Sequence, residues 1–195
     1  MRDRTAGMAR GLPGSGTSRC ARGSGYDREV SQHEHKAAAP VRVRVAVLTI
    51  SDTRTETTDT SGRAIRALLE EAGHHVTATA IVADDAEAVT AFVRAQLDGD
   101  TQVVITTGGT GITSRDTTYE AIDALIEKRL DGFGELFRML SYQDIGPAAM
   151  MSRACAGLAR GRVVIALPGS EGAVRLAMTK LVVPELGHLV QQAAK

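Results

Sequence analysis

From residue 41 onward the chain switches repeatedly between a two-residue and a 3.6-residue hydrophobic period, and few architectures satisfy that switching. The stretch "VRVRVAVLTI" (41–50) starts in strict alternation and ends continuously apolar, as a strand does on entering a sheet covered on both faces. Ile65, Leu68, Leu69 and Ala72 then mark one helical face that ends at Gly73. "HHVTATAIV" (74–82) alternates again, and Val89, Phe92, Val93 and Leu97 predict a second helix closed by Asp98-Gly99. "QVVITT" (102–107) is a short apolar strand, and Ile122, Leu125, Ile126 and Leu130 predict a third helix. "RVVIALP" (162–168) reads as a buried strand that "ACAGLA" can pair with across Arg160-Gly161. From Ser170 the chain is helical until Pro184 restarts or kinks it. Strands alternating with helices predict a three-layer α/β sandwich around a largely parallel sheet.

Composition narrows the class further. Lys+Arg and Asp+Glu both number 23, so no global charge invites nucleic acid or an anionic membrane surface. No apolar run approaches the roughly 20 residues that a membrane span needs. Cys20 and Cys155 have no metal-ligand spacing, and scarce cysteine fits a reducing compartment, so a cytoplasmic location is expected. Aromatics make up 3% and Trp is absent, which leaves Val, Leu, Ile and Ala to build the core. Residues 1–40 differ from the rest: seven basic and four acidic residues, six glycines and almost no large aliphatics. Such a segment buries too little apolar surface to offset its ordering entropy, so a disordered tail is expected over 1–40 and a folded domain over 41–195.

The glycine-rich stretch "ITTGGTGITSRDTT" (105–118) ends the third strand. In open α/β sheets ligands sit beyond the carboxyl ends of the strands. Glycine there lets backbone N–H groups approach an anion closely. Gly108, Gly109, Thr110 and Gly111 therefore read as a phosphate cradle, and equally, on their own, as a tight turn. The acidic residues nearby also have two readings. Asp59, Asp84 (with Glu87), Thr117 (with Glu120) and Ser170 all stand where helix N-caps are expected. Yet all of these, and Asp116, lie just after a strand or its loop on the same rim as the glycines, and two or three carboxylates facing a phosphate cradle suit Mg²⁺ carrying a polyphosphate. Arg115 is placed to neutralise remaining phosphate charge.

In combination the motifs are far more specific. "LTISDTR", "DTSG", "TTGGTGITSRDTT", "DGFGELFRMLSYQDIG", "SRACAG" and "ALPGS" occur in the order found in molybdenum-cofactor biosynthesis proteins, and residues 41–195 resemble the MoaB/MogA family, closest to its B type. The resemblance implies the molybdopterin-binding domain fold: a three-layer α/β/α sandwich with a mostly parallel, mixed sheet of about five strands, one of them antiparallel. It implies molybdenum-cofactor biosynthesis, with Mg-ATP-dependent adenylylation of molybdopterin releasing pyrophosphate. The product would then pass to a molybdate-inserting partner enzyme. Asp84 and Asp116 match the family's catalytic and magnesium-linked carboxylates. Ser51, Asp52, Gly108, Gly109, Thr110, Gly111, Ser114, Arg115 and Ser170 fall in its substrate- and phosphate-binding loops. The "SRD" and "ADD" carboxylates of active enzymes are present, which favours an adenylyltransferase over a non-catalytic molybdopterin-binding or scaffold protein. The family also implies a homo-oligomer, a trimer or a pair of trimers. "FGELFRMLSY", where Phe133, Phe137, Met139, Leu140 and Tyr142 gather, is either its interface or a local core cluster.

Overall fold

The computed structural model describes residues 42–113 and 116–195. The expected tail and the site candidates Ser114 and Arg115 lie outside the described residues. The strands are β1 (Arg44–Ile50), β2 (His75–Val82), β3 (Val103–Gly108), β4 (Lys128–Arg129), β5 (Cys155–Ala159) and β6 (Arg162–Leu167). The helices are α1 (Thr60–Glu71), α2 (Ala86–Leu97), α3 (Thr118–Asp123), α4 (Asp131–Ile145), α5 (Glu171–Ala177) and α6 (Val183–Ala193). A 3₁₀ segment (Gly146–Met151) precedes β5, and a π turn (Met178–Val182) joins α5 to α6, whose first turn carries Pro184.

The six strands form one mixed sheet in the order β2-β1-β3-β6-β5-β4. β1, β2, β3 and β6 run parallel, whereas β5 is antiparallel to both of its neighbours. The expected hairpin is present, turning through Arg160 and Gly161 at φ 50° and 69°. The sheet therefore has one strand more than the five expected. β4 is two exposed residues long and carries no apolar period, so nothing in the sequence marks it. The third helix is also shorter than expected and ends at Asp123; Ile126 lies in the connection to β4, and Leu130 stands at the N-cap position of α4.

The apolar strands are continuous because both faces are covered. Val43, Val45, Val47, Val103, Ile105, Val163 and Ile165 pack in one layer with Ile65 and Leu69 of α1, Phe137 of α4, Val174 of α5 and Leu186 of α6. Leu48, Ile50, Val104, Val164 and Ala166 pack in the other, against Val89 and Val93 of α2 and Ile122 of α3. Successive residues point to opposite faces, so each strand feeds both cores. Each fully buried Val, Leu or Ile contributes about 1.5–3 kcal/mol.

Register then fixes where the loops emerge. Ile50 stands level with Val82 and with Gly108, and Thr107 with Leu167. The carboxyl ends of four strands thus form one rim, from which residues 51–59, 83–85, 109–117 and 168–170 all depart. His74, just before β2, is accounted for structurally: its Nδ1 accepts from the Val43 N–H at 3.3 Å, and burial lowers its pKa.

Candidate functional site

Gly108 and Gly109 leave β3 at φ 96° and 63°, a conformation that glycine adopts without steric cost. At Gly108 a Cβ would stand 2.1 Å from the Ile50 carbonyl oxygen, so the close approach of β1 and β3 at their ends excludes any side chain. At Gly111 a Cβ would stand 2.4 Å from Asp116 Oδ2. The glycine loop and the aspartate five residues on are packed against one another. Asp116 Oδ2 accepts from both the N–H and the hydroxyl of Thr113 at 2.7 Å, closing the loop on itself.

The neighbouring exit loops complete the site. Asp52 Oδ1 accepts from the Asp84 N–H at 3.0 Å, and Asp84 Oδ1 accepts from the Thr118 hydroxyl at 2.5 Å. Asp52, Asp84, Thr113 and Asp116 together line a cleft of about 240 Å³ beside the glycine loop. Three carboxylates from three different loops thus face one space. Asp84 is not the cap of α2, in correction of that expectation. Asp85 holds the N-cap position, with its Oδ1 accepting from the Ala88 N–H at 2.8 Å, so the Asp84 carboxylate is spared from capping.

Other candidates resolve differently. Ser51 Oγ accepts from the N–H groups of Thr53 and Arg54 at 3.2 Å, which shapes the loop that presents Asp52. Ser170 caps α5 as expected, its Oγ accepting from the Ala173 N–H at 3.4 Å, and it does not line the carboxylate cleft. Its loop nevertheless abuts the glycines, since Thr107 Oγ1 donates to Pro168 O at 2.9 Å. Asp59 caps α1 as expected and is buried, accepting from the Gly62 N–H at 2.8 Å and the Thr49 hydroxyl at 2.9 Å. The capping box at Thr117 does not form: Thr117 makes no side-chain cap bond, and Glu120 is paired with Arg153 instead. Its own backbone N–H and then Arg153 hold the Glu120 carboxyl below the usual carboxylate range.

Arg153 is the residue that sequence reasoning missed. It precedes β5, reaches back to the glycine loop, and lies 4.6 Å over the Tyr119 ring. Beyond it Cys155 is buried, and that burial pushes its thiol pKa up, away from nucleophilic use. A slightly larger cleft of about 280 Å³ opens beside Thr49, Asp59 and Thr79; it includes no part of the glycine loop, and its buried carboxylate is occupied in capping.

The domain family described as "Probable molybdopterin binding domain" matches residues 46–188, which contain the glycine loop, all three carboxylates and Arg153. The chain belongs to the MoaB/MogA family of molybdenum-cofactor biosynthesis proteins. Molybdenum cofactor biosynthesis protein B of Bacillus cereus is 56% identical over 162 residues, which cover 82% of this chain and 96% of that one. The Bacillus subtilis protein of the same description is 53% identical, over 85% of this chain and 99% of its own. Among solved MoaB/MogA structures, the tungsten cofactor synthesizing protein MoaB from Pyrococcus furiosus superposes with a TM-score of 0.73 at 38% identity, covering 80% of this chain and 100% of that one. A crystal structure of molybdenum cofactor biosynthesis protein B gives 0.77 at 55% identity, covering 80% and 98%. A role in molybdenum-cofactor biosynthesis and the three-layer α/β/α fold follow from membership. Among the described residues no helix is long and apolar enough to cross a membrane.

Proposed function

We propose that this MoaB/MogA member is a molybdopterin adenylyltransferase, using Mg-ATP and releasing pyrophosphate. The observation that carries the reading is the meeting of Asp52, Asp84 and Asp116 in one cleft beside the glycine loop, with Asp84 relieved of capping by Asp85. In the transfer, an oxygen of molybdopterin's terminal phosphate attacks the α-phosphorus of ATP. A new P–O bond forms as the bond to the β-phosphate oxygen breaks, and pyrophosphate leaves. The attacking phosphate is largely ionised at neutral pH, so positioning and charge neutralisation matter more than a general base.

The donor set of the cleft fits Mg²⁺. It offers carboxylate and hydroxyl oxygens, and Mg²⁺ is usually held by one or two carboxylates together with substrate phosphates and water. Among the described residues no group of three or more His, Cys, Asp or Glu could hold a metal ion by itself. Asp84 and Asp116 would hold the Mg²⁺, and when bound it neutralises charge on the transferred phosphate. The loop's N–H groups bind phosphate oxygen, Thr113 fixes the Asp116 carboxylate, and Thr118 fixes that of Asp84. Incubation with molybdopterin, ATP and Mg²⁺ should release pyrophosphate in step with molybdopterin consumed. Retained molybdopterin binding with no pyrophosphate would instead make the chain a binding or scaffold protein of the pathway.

Self-association belongs to the same reading. The stretch around α4 divides by face. Phe137 is 1% exposed and stacks on Phe133 with centroids 6.5 Å apart, so these two belong to the core. Met139 and Tyr142 are 53% and 61% exposed, and with Leu136, Ile145, Met150 and Met151 they form an uncovered apolar surface of the kind that marks interfaces. We expect a trimer or a pair of trimers by light scattering at micromolar concentration. A lone 20.6 kDa species would sink that assembly.

A further inference from the structure

We propose that Arg153 is a positioning residue: it braces the glycine loop from behind and turns the loop's amides toward the ligand side. Its guanidinium spends its donors on the protein. Nε donates to Thr110 O at 3.2 Å, Nη2 to Gly111 O and to Asp116 O (3.5 Å), and Nη1 to Glu120. The side chain is 23% exposed and its plane is backed by the Tyr119 ring. Little donor capacity remains for a substrate, so Arg153 acts through the loop.

The consequence for the loop is geometric. A trans peptide is planar, so a carbonyl drawn to one side directs the following N–H to the other. Arg153 draws the carbonyls of Thr110 and Gly111, and the N–H groups of Gly111 and Ile112 are thereby directed away from it. One cation holds both ends of the loop, at residues 110–111 and at 116, and Arg's planar fork serves several acceptors in fixed directions where Lys offers a point charge. What the loop receives rests on the adenylyl-transfer reading; the brace itself does not.

The test compares Arg153→Met, Arg153→Lys and, as a control for general destabilisation, Asp85→Ala, which loosens α2 without touching the loop. Two quantities are read: hydrogen exchange in peptides spanning 109–117 of the nucleotide-free protein, and Mg-ATP affinity by calorimetry. The Thr113 and Asp116 amides are hydrogen-bonded within the loop, so their protection reports its closure. Arg153→Met is expected to speed exchange there and to weaken Mg-ATP binding, each on the order of tenfold, equivalent to ~1.4 kcal/mol. Arg153→Lys should fall between, and Asp85→Ala should match the wild type in both. Wild-type loop exchange in Arg153→Met, or equal acceleration in Asp85→Ala, overturns the proposal. Should Arg153→Met fail to fold, wild-type behaviour of Arg153→Lys overturns it in the same way. A wild-type protein that does not bind Mg-ATP would defeat the adenylyl-transfer reading while the exchange data still decide the brace.

Discussion

Replacing Asp84 by Asn is expected to leave the fold intact and to lower adenylyl transfer on the order of 100-fold or more. An amide oxygen still accepts from the Thr118 hydroxyl, and the cap of α2 is untouched because Asp85 supplies it. What disappears is a negative charge facing the cleft, and loss of one such transition-state contact costs roughly 3 kcal/mol. Asp116→Asn should behave alike, since an Asn oxygen can accept from Thr113 in place of Oδ2. The mirror-image result is expected one residue along. Asp85→Ala removes a cap worth about 1 kcal/mol, lowers the thermal midpoint by roughly 2–4 °C, and spares turnover. Pyrophosphate release and melting, measured on all three variants, separate chemistry from capping. Wild-type turnover in both Asp84→Asn and Asp116→Asn would return the cleft to a binding role.

The largest loss of stability is expected from Gly108→Ala. The new methyl would meet the Ile50 carbonyl oxygen at 2.1 Å in a residue held at φ 96°. A positive φ costs an L-residue about 1–2 kcal/mol, and overpacking adds roughly 1–3 kcal/mol. A fall in thermal midpoint of roughly 6–12 °C follows for about 3 kcal/mol. Gly172→Ala is the control, because nothing lies within 4 Å of its added Cβ and alanine favours a helix. A Gly108→Ala protein that melts with the wild type would contradict the contact between β1 and the glycine loop.

What could be read from the sequence follows from how local each signal is. The strands at 44–50 and 162–167 were legible because two-sided burial leaves an unbroken apolar run, and α1 because Asp59, the apolar face and Gly73 agree. β4 was not legible, since two exposed residues held only by pairing to β5 leave no period. In the site, the glycines and Asp116 were visible as a motif. Asp84 and Asp85 are chemically identical neighbours, and only backbone geometry says which one caps. Ser170 and Asp59 cap helices, as their places before α5 and α1 indicated. Arg153 depends on topology: a hairpin at Arg160-Gly161 sets β5 antiparallel to β6, so β5 begins at the rim and Arg153 stands by the glycine loop.

The reversed direction of β5 also bears on the order in which the molecule can assemble. β5 and β6 pair through a tight turn, a contact between near neighbours in the chain that forms on a microsecond scale of ~1–10 μs. The pairings β1–β3 and β3–β6 join segments far apart and require whole helices to be laid across the sheet, so their loop-closure entropy must be met first. The cleft draws on the ends of β1, β2 and β3, while its brace arrives with the hairpin. The carboxylates therefore converge only once the β1–β2 and β1–β3 pairings are made, and the brace joins them through the β3–β6 pairing. The brace and the loop it holds thus come from segments 43 residues apart, at Arg153 and Thr110, and the site exists only where both halves of the sheet are joined.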